Sequence, residues 1–474
     1  VKIDRAIVTC IGILLVPLTA HSQTNLPGVT LSDLLKADRT LAPRVLAKEL
    51  SQGDPSSTRL DASLPSTPLE LNQAVQIAVD RHPSISEAVS TLAQAAGGVA
   101  VARAGYFPQV TTGLGNGNNT LTGSGKTASV TVSQMIYDFG KVSGAVDQAK
   151  AGVKRQQATV LKQIQSIEQQ TAEAVVNVHR YQMMEGIAAE QVSAVEKVYE
   201  MTRLRSDAGV STRSDPIQAE TRVQSAKANL LQVRSLGEQA RQKLRTLLGG
   251  PIVNGVAPLP DAQIAQVSFA ETPETDLMPD VLIAQADVVS ARDQVSIAKS
   301  QRLPTLSVNA SINKNITGIN PSTFQRNGSD RTVMLNLSWA AFQGGALNAQ
   351  VNAANNALAA ARSRVETARL DGSDQARVFR EQAIGAQSRI AVLGERKKSI
   401  TEARDLYREQ YKLGTRSVLD LLNAEQEFYQ AASDEEAIRH DYWSAVVDYV
   451  AATGKSNDFY GLKTGSVQGM EMYP

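Results

Sequence analysis

Four stretches of apolar/polar alternation, set among very long helical repeats, constrain this chain more than any other feature. Val333, Leu335, Leu337 and Trp339 alternate with Met334, Asn336 and Ser338. Leu306, Val308, Ala310 and Ile312 alternate with Thr305, Ser307, Asn309 and Ser311. Val130 and Val132 alternate with Ser129, Thr131 and Ser133, and Val110, Thr112 and Leu114 form a weaker set. A period of two gives each strand one apolar face and one face of small polar groups. Segments of about ten residues with this pattern fit a transmembrane barrel. A soluble sandwich alternates in the same way. Four strands can neither close a barrel nor build a sandwich, and pooling strands from several subunits solves the closure problem. The intervening loops, Asn116 to Gly125 and Ile316 to Asp330, are rich in Gly, Asn and Ser, as exposed turns are.

The remaining pattern is helical. Val160, Ile164, Ile167, Thr171, Ala174, Val178 and Tyr181 repeat with a 4-3 spacing, as do Ala354, Leu358, Ala361, Val365 and Ala368. Ala376, Phe379, Ala383, Ala386, Ile390 and Leu393 resume the series after a slip around Gly372. This is coiled-coil packing with a local phase change. A stretch of about 65 residues would reach roughly 100 Å, too long for a compact domain. Scarce aromatics, 4% of the chain, suit helices packed through small side chains.

The same order of elements occurs twice. Ala298-Lys-Ser-Gln-Arg-Leu-Pro304 answers Ala102-Arg-Ala-Gly-Tyr-Phe-Pro108, Gly344 answers Gly140, and Gly414…Asp420…Glu425 answers Gly209…Asp215…Glu220. Partners stay about 200 residues apart, which marks an internal duplication. The expected organisation is a signal peptide over 1–22, an N-terminal extension and linker over 23–68, a first repeat over 69–249, a Pro-rich connector over 250–279, a second repeat over 280–454 and a tail over 455–474. Each repeat should run helix, strand, strand, long helix, helix, with its first helix in the first copy unbroken from Leu71 to about Arg103.

Lys2 and Arg5 precede an apolar stretch from Ala6 to Leu18, and Ala20-His-Ser22 offers small residues before a cut near Gln23. That is the grammar of secretion, and the stretch is too short to anchor in a membrane. Cys10, the only cysteine, lies inside it with apolar residues continuing beyond, so neither a disulfide framework nor a lipid anchor is expected. No later segment has 18 clean apolar residues, so a membrane crossing must use a β-barrel. With 48 Lys+Arg against 47 Asp+Glu, nothing in the charge points to nucleic acid.

Catalytic signatures are missing. There is no HExxH, CxxC or GxSxG, and the four histidines (His21, His82, His179 and His440) are scattered, so neither catalysis, a cofactor nor a metal is expected. Gly123-Ser-Gly125-Lys126-Thr127 has the ending of a phosphate loop, but Thr120 stands where the first Gly is required, and a strand rather than a helix should follow.

The segments Tyr411-Lys-Leu-Gly-Thr-Arg-Ser-Val-Leu-Asp-Leu-Leu-Asn-Ala-Glu425 and Ala208-Gly-Val-Ser-Thr-Arg-Ser-Asp-Pro-Ile-Gln-Ala-Glu220, with the duplicated element order, resemble the TolC family of outer-membrane efflux and secretion channels. The resemblance covers about Leu69 to Gly454. It implies an α+β membrane protein of the bacterial outer membrane. A homotrimer would give four strands per subunit to a shared 12-stranded β-barrel, continued by a long periplasmic α-helical coiled-coil barrel. The implied partners are outer-membrane lipid, a periplasmic adaptor protein and an inner-membrane ABC transporter or proton-driven efflux pump. The implied role is the outer-membrane component of a type I secretion system, with a multidrug efflux duct as the alternative. Gly209 and Gly414 suit helix reversals, and Ser214 or Ser417 suits capping of the next helix. The resemblance puts Gly209, Val210, Gly414, Thr415 and Ser417 in turns that meet the adaptor. It puts Asp420 at the pore constriction, with Asn423 where some members carry a second aspartate. It makes Tyr411 and Arg416 latches between hairpins, with Asp215 and Ser214 as acceptors. Neither latch residue is expected to pack a core.

Overall fold

A computed structural model describes residues 67–119, 123–251, 255–264, 267–269, 274–462, 466–467 and 470–471. The expected signal peptide and nearly all of the extension and linker lie outside the described residues. Helices α1 (Leu71–Arg81) and α2 (Pro83–Arg103) lead into strands β1 (Gln109–Asn119) and β2 (Gly123–Tyr137), then helices α3 (Lys141–Asp207) and α4 (Ser214–Leu248). Helix α5 (Pro279–Ser300), strands β3 (Thr305–Thr317) and β4 (Ser329–Ser338), and helices α6 (Ala346–Lys412) and α7 (Val418–Ala452) repeat that order. α3 and α6 have 67 residues each, and α4 and α7 have 35 each.

Two local expectations need correction. The first helix breaks at His82, whose extended backbone (ψ 126°) is what a residue before proline adopts. Pro83 then starts α2 at a position where its missing N–H costs nothing, and the His82 ring accepts the Ser84 N–H at 3.3 Å. The counterpart of Gly140 (φ 97°), which precedes α3, is Gly345 (φ 87°) rather than Gly344. α6 runs through Gly372 without a break, so the slip is a change of phase within one helix. A Cβ at Gly372 would meet the sulfur of Met278, which would have to shift from its packing with Val281, Ala284 and Val365. The slip in the apolar pattern marks where the connector presses on the helix.

The heptad positions sort as the spacing implies. Val160, Ile164, Ile167, Thr171, Ala174 and Val178 of α3 are all buried. On α6 the buried set is thinner and mostly alanine: Val351, Ala354, Ala361, Val365, Ala376, Ala383 and Ala386, with Tyr411 near its end. Leu370 and Val392 of the same helix remain 69% and 68% exposed, so α6 has apolar surface that one chain leaves uncovered. α2 is long and apolar enough to cross a membrane by composition, but it packs along α3 and passes directly into β1 through Phe107 and Pro108.

The strands form one antiparallel sheet in the order β1-β2-β3-β4, with both outer edges unpaired. The register stacks like with like. One face carries the rows Val110–Val132–Ala310–Val333 and Thr112–Val130–Ile312–Arg331, followed inward by Val308–Leu335 and Leu306–Leu337. The opposite face carries Thr111–Thr131–Ser311–Thr332 and Gly113–Ser129–Asn313–Asp330. A one-residue slip anywhere would exchange the faces.

The largest apolar core lies where both repeats and the connector meet. Val75, Val79 and Ile85 pack there with Ile164 and Ile167 of α3, Leu244 and Leu248 of α4, and Trp443 and Val446 of α7. Val256 and Ile264 of the connector join them, and so does Tyr460 beyond α7. Leu69 pairs with Val256 in a parallel bridge, closing this belt. Glu168 is fully buried beside it, with neither carboxylate oxygen hydrogen-bonded among the described residues. Burial pushes its carboxyl from the ordinary 4.5 up to about 8, against the opposing pull of the Ser456 hydroxyl.

Glu168 therefore keeps its proton at neutral pH in the folded chain, whereas the unfolded chain loses it above about 4.5. Stability should fall as pH rises from there to about 8. Glu168→Gln should raise the unfolding midpoint at alkaline pH and match the parent at acidic pH. Equal midpoints throughout a thermal-melt pH series would count against a buried neutral carboxyl.

Candidate functional site: the helical tip

The two hairpins, α3–α4 and α6–α7, reverse by the same device. Gly209 (φ 71°) and Gly414 (φ 78°) adopt the left-handed conformation. The Gly209 N–H donates to Ser206 O and the Val210 N–H to Arg205 O. In the second copy, the Gly414 N–H donates to Tyr411 O and the Thr415 N–H to Gln410 O. This pair of bonds satisfies the orphan carbonyls of a helix end only when the turn residue tolerates positive φ. The next helices start differently. Ser417 caps α7 by accepting the Asp420 N–H at 3.2 Å. Ser214 is already inside α4, where Thr212 bonds Ser214 at 2.7 Å and Asp215 at 2.7 Å.

All four long helices meet just above these turns. Val195 and Val198 of α3, Ala219 and Val223 of α4, Tyr411 of α6, and Val418, Leu421 and Leu422 of α7 form one buried cluster. Tyr411 is 3% exposed, so the expectation that it packs no core is wrong. Its hydroxyl has no hydrogen-bond partner among the described residues, and burial, with the nearby Asp215 carboxylate, raises its pKa against the pull of Arg205. Arg416 is held within its own hairpin rather than reaching Ser214. It donates to Gln410 at 3.0 Å, lies 4.3 Å from the Tyr407 ring centroid and pairs with Asp420 at 3.6 Å. Asp420 and Asn423 line one small cleft of about 170 Å3 with Tyr407 and Glu427. Val210 at the first turn is 65% exposed, and Gly209, Gly414, Thr415 and Ser417 are exposed as well.

Two arginines that the sequence does not single out join the hairpins. Arg205 donates to Tyr411 O at 3.4 Å and Lys412 O at 3.3 Å, while its guanidinium lies 5.2 Å from the Tyr411 ring centroid. A cation thus sits on the carbonyl end of α6, where the helix dipole favours it. Arg222 of α4 donates to Asn423 at 3.2 Å and Gln426 at 2.6 Å on α7. A basic residue in the last turn of α3 is a visible signal, but its target on another helix is not. Within the second hairpin Arg408 pairs with Glu425, which is fully buried.

The scattered histidines are not all apart. His179 Nδ1 lies 2.8 Å from His440 Nε2, and His440 Nδ1 donates to Glu436 O at 2.7 Å. With the Glu436 carboxylate they are the one group among the described residues with metal-ligand chemistry, their ligand atoms all within 4.8 Å of one another. The residues resembling a phosphate loop lie in β2 and start no helix.

The outer membrane efflux protein family matches residues 74–250 and 276–455. The chain is 23% identical over 384 residues to the outer membrane efflux protein BepC of Brucella suis biovar 1, covering 79% of this chain and 83% of that one. It is 26% identical over 269 residues to the alkaline protease secretion protein AprF of Pseudomonas aeruginosa, covering 55% of each. Its fold is similar to the CmeC outer membrane channel of Campylobacter jejuni, with a TM-score of 0.72 at 16% identity over 81% of this chain and 86% of that one. A four-stranded sheet carried on paired long helices is the subunit of a passive outer-membrane channel, not of an enzyme. The chain belongs to the outer membrane efflux protein family, which places it in the bacterial outer membrane with its helices in the periplasm.

The inter-hairpin arginines should hold the tip closed. Each bond is worth only about 0.5–1.5 kcal/mol, but every copy of the chain repeats it. Arg205→Ala combined with Arg222→Ala should raise single-channel conductance in planar bilayers while leaving the protein folded. Parental conductance from a folded variant would remove the two arginines from gating. The histidine pair gives a separate test. Burial lowers both pKa values below the ordinary 6.5, and the neighbouring His440 lowers that of His179 further. The unfolded chain takes up these protons first as pH falls, so the α3–α7 contact should weaken below about pH 6.5. His440→Gln should flatten the acid side of the thermal-melt profile, and an unchanged slope would assign the acid sensitivity to other groups.

Proposed function

We propose that this chain is the exit duct of a type I protein secretion system. Three copies close a twelve-stranded barrel, four strands from each, and their helices continue it as a periplasmic tunnel. The observation that carries this reading is the sheet: two unpaired edges and one largely apolar face need both more strands and lipid. The exposed apolar residues along α6 support it, since a neighbouring copy would cover them. A periplasmic adaptor meets the turns at Gly209, Val210, Gly414, Thr415 and Ser417, and an inner-membrane ABC transporter selects the cargo. Similarity to a protease secretion protein supports this choice. Similarity to BepC over more of the chain favours the second reading, a multidrug efflux duct serving a proton-driven pump.

At the tip, Asp420 and Asn423 form the constriction. Tyr411 and Arg416 latch the hairpins, with Asp215 and Ser214 as their acceptors. The unpartnered Tyr411 hydroxyl and its electrostatic contact with Asp215 support that pairing. Arg416 would have to leave Gln410 and Asp420 to reach Ser214 of a neighbouring copy.

Deleting the gene should remove a large protein from the culture supernatant and leave drug susceptibility unchanged. Drug hypersensitivity with a normal set of secreted proteins would select the efflux reading. In planar bilayers, Asp420→Ala should reduce cation selectivity and block by trivalent metal ions, because three converging carboxylates attract cations. Unchanged selectivity and block would leave Asp420 as a plain helix-terminal carboxylate.

A further inference from the structure

The charges of the sheet are sorted by height and by face. The two hairpins, residues 109–137 and 305–339, contain four basic residues (Lys126, Lys314, Arg326 and Arg331) and a single acid, Asp330. In a chain with 48 basic and 47 acidic residues this is a local imbalance. All four cations lie toward the hairpin tips, away from the ends that join the helices. The helices are periplasmic, so these tips face the cell exterior.

Three of the four share the apolar face. Arg331 pairs with Ile312 and continues the Thr112–Val130–Ile312 row. Lys314 pairs with Ala128 on one side and Ser329 on the other, diagonal to Arg331. Lys126 follows Ala128 by alternation along β2 and pairs with Asn116. All three are exposed, and none forms an ion pair among the described residues. Lys314 donates to Asn327 O at 2.7 Å, which leaves two of its N–H groups free to bond outward. Asp330 lies on the opposite face, where Asn313 and Asn320 donate to it at 3.0 and 2.9 Å.

A second copy of the sheet cannot neutralise this row. Whichever strands close the barrel, they bring the same composition, and their one acid faces inward. The height of the row is also set. Leu306 pairs with Leu337 at the inner end of the apolar face, where Trp339 follows β4 and donates to Arg302 O at 2.9 Å. Lys314 lies eight residues further along β3, a distance of about 26 Å along the strand. At the usual tilt of outer-membrane strands this is roughly 20 Å along the membrane normal, close to the height of an apolar belt. The inner rim is therefore aromatic and the outer rim cationic.

We propose that Lys126, Lys314 and Arg331 form a recognition row for the bis-phosphorylated glucosamine headgroup of lipid A in the outer leaflet. The row runs diagonally from β2 to β4, two strand spacings across and four residues along, or about 16 Å from end to end. Two phosphates carried on one headgroup can engage such a row together, whereas a single phosphate meets one part of it. The acyl chains lie against Ala310, Val333 and Leu335 below. This rests on the closed barrel with its apolar face outward.

The test titrates the purified trimer in detergent with bis-phosphorylated lipid A, monophosphoryl lipid A and phosphatidylglycerol, read by native mass spectrometry. The parent should bind the bis-phosphorylated form most tightly. The triple variant Lys126→Gln, Lys314→Gln, Arg331→Gln should bind it about a hundredfold less, as expected from losing three surface cations. The charge-preserving variant Lys126→Arg, Lys314→Arg, Arg331→Lys should retain it. Equal binding of all three lipids by the parent, or parental binding by the triple variant, overturns the proposal. Heat-modifiable migration of each sample reports closure of the barrel: a trimer without lipid A preference refutes the row alone, and a parent that never trimerises refutes the barrel reading and the row together. If the triple variant does not trimerise, the parent's preference between the two lipid A forms decides the matter.

Discussion

A β-strand edge in hydrocarbon has no water to bond, and the rest of this molecule follows from that requirement. The sheet leaves the outer edges of β1 and β4 unpaired while offering lipid an apolar face. Each unmade backbone bond in lipid costs several kcal/mol, so the edges must meet other strands. Both hairpins leave the sheet at its inner end and pass into helices within a few residues. Whatever closes the sheet also fixes the spacing of the helices hung beneath it. The small buried residues of α6 match this arrangement, because alanine lets helix axes approach closely without requiring a thick core.

The opposite end works under a milder requirement. Its reversals are in water, satisfied by glycine turns, and its packing is one small cluster shared by four helices. Links there are single side-chain bonds from Arg205 and Arg222 rather than backbone ladders. A barrel held by backbone pairing and a tip held by a few exposed bonds differ greatly in the work needed to open them.

Much of this was legible in the sequence because it depends on period. Alternation identified all four strands, and the 4-3 spacing of Val160 to Val178 identified the face that α3 buries. The two glycine turns could be read for the same reason: positive φ leaves few residue choices. What escaped was pairing between residues far apart. Tyr411 was expected to stay outside any core and is buried, because only the packing of four helices shows which side of a phenol is covered. His179 and His440 look scattered and lie 2.8 Å apart, since only the packing of α3 on α7 brings them together. Glu168 sits among apolar heptad positions like any helix carboxylate, and only the fold reveals that it is fully buried. The slip at Gly372 was visible but its cause was not, as Met278 belongs to the connector.

The equal lengths of the paired helices restrict how such a chain can evolve. α3 matches α6 at 67 residues, and α4 matches α7 at 35. Losing one residue from α6 alone would turn everything below the deletion by about 100° and raise it by about 1.5 Å. Val418 and Leu421 would then point away from Val195 and Val198, and the two reversals would end at different levels. Insertions and deletions are thus tolerated only in steps of about seven residues that restore the seam, or as matched changes in both halves. Substitution can proceed freely along most of the helices while length stays frozen. Relatives of the same design can therefore diverge in sequence far faster than in reach.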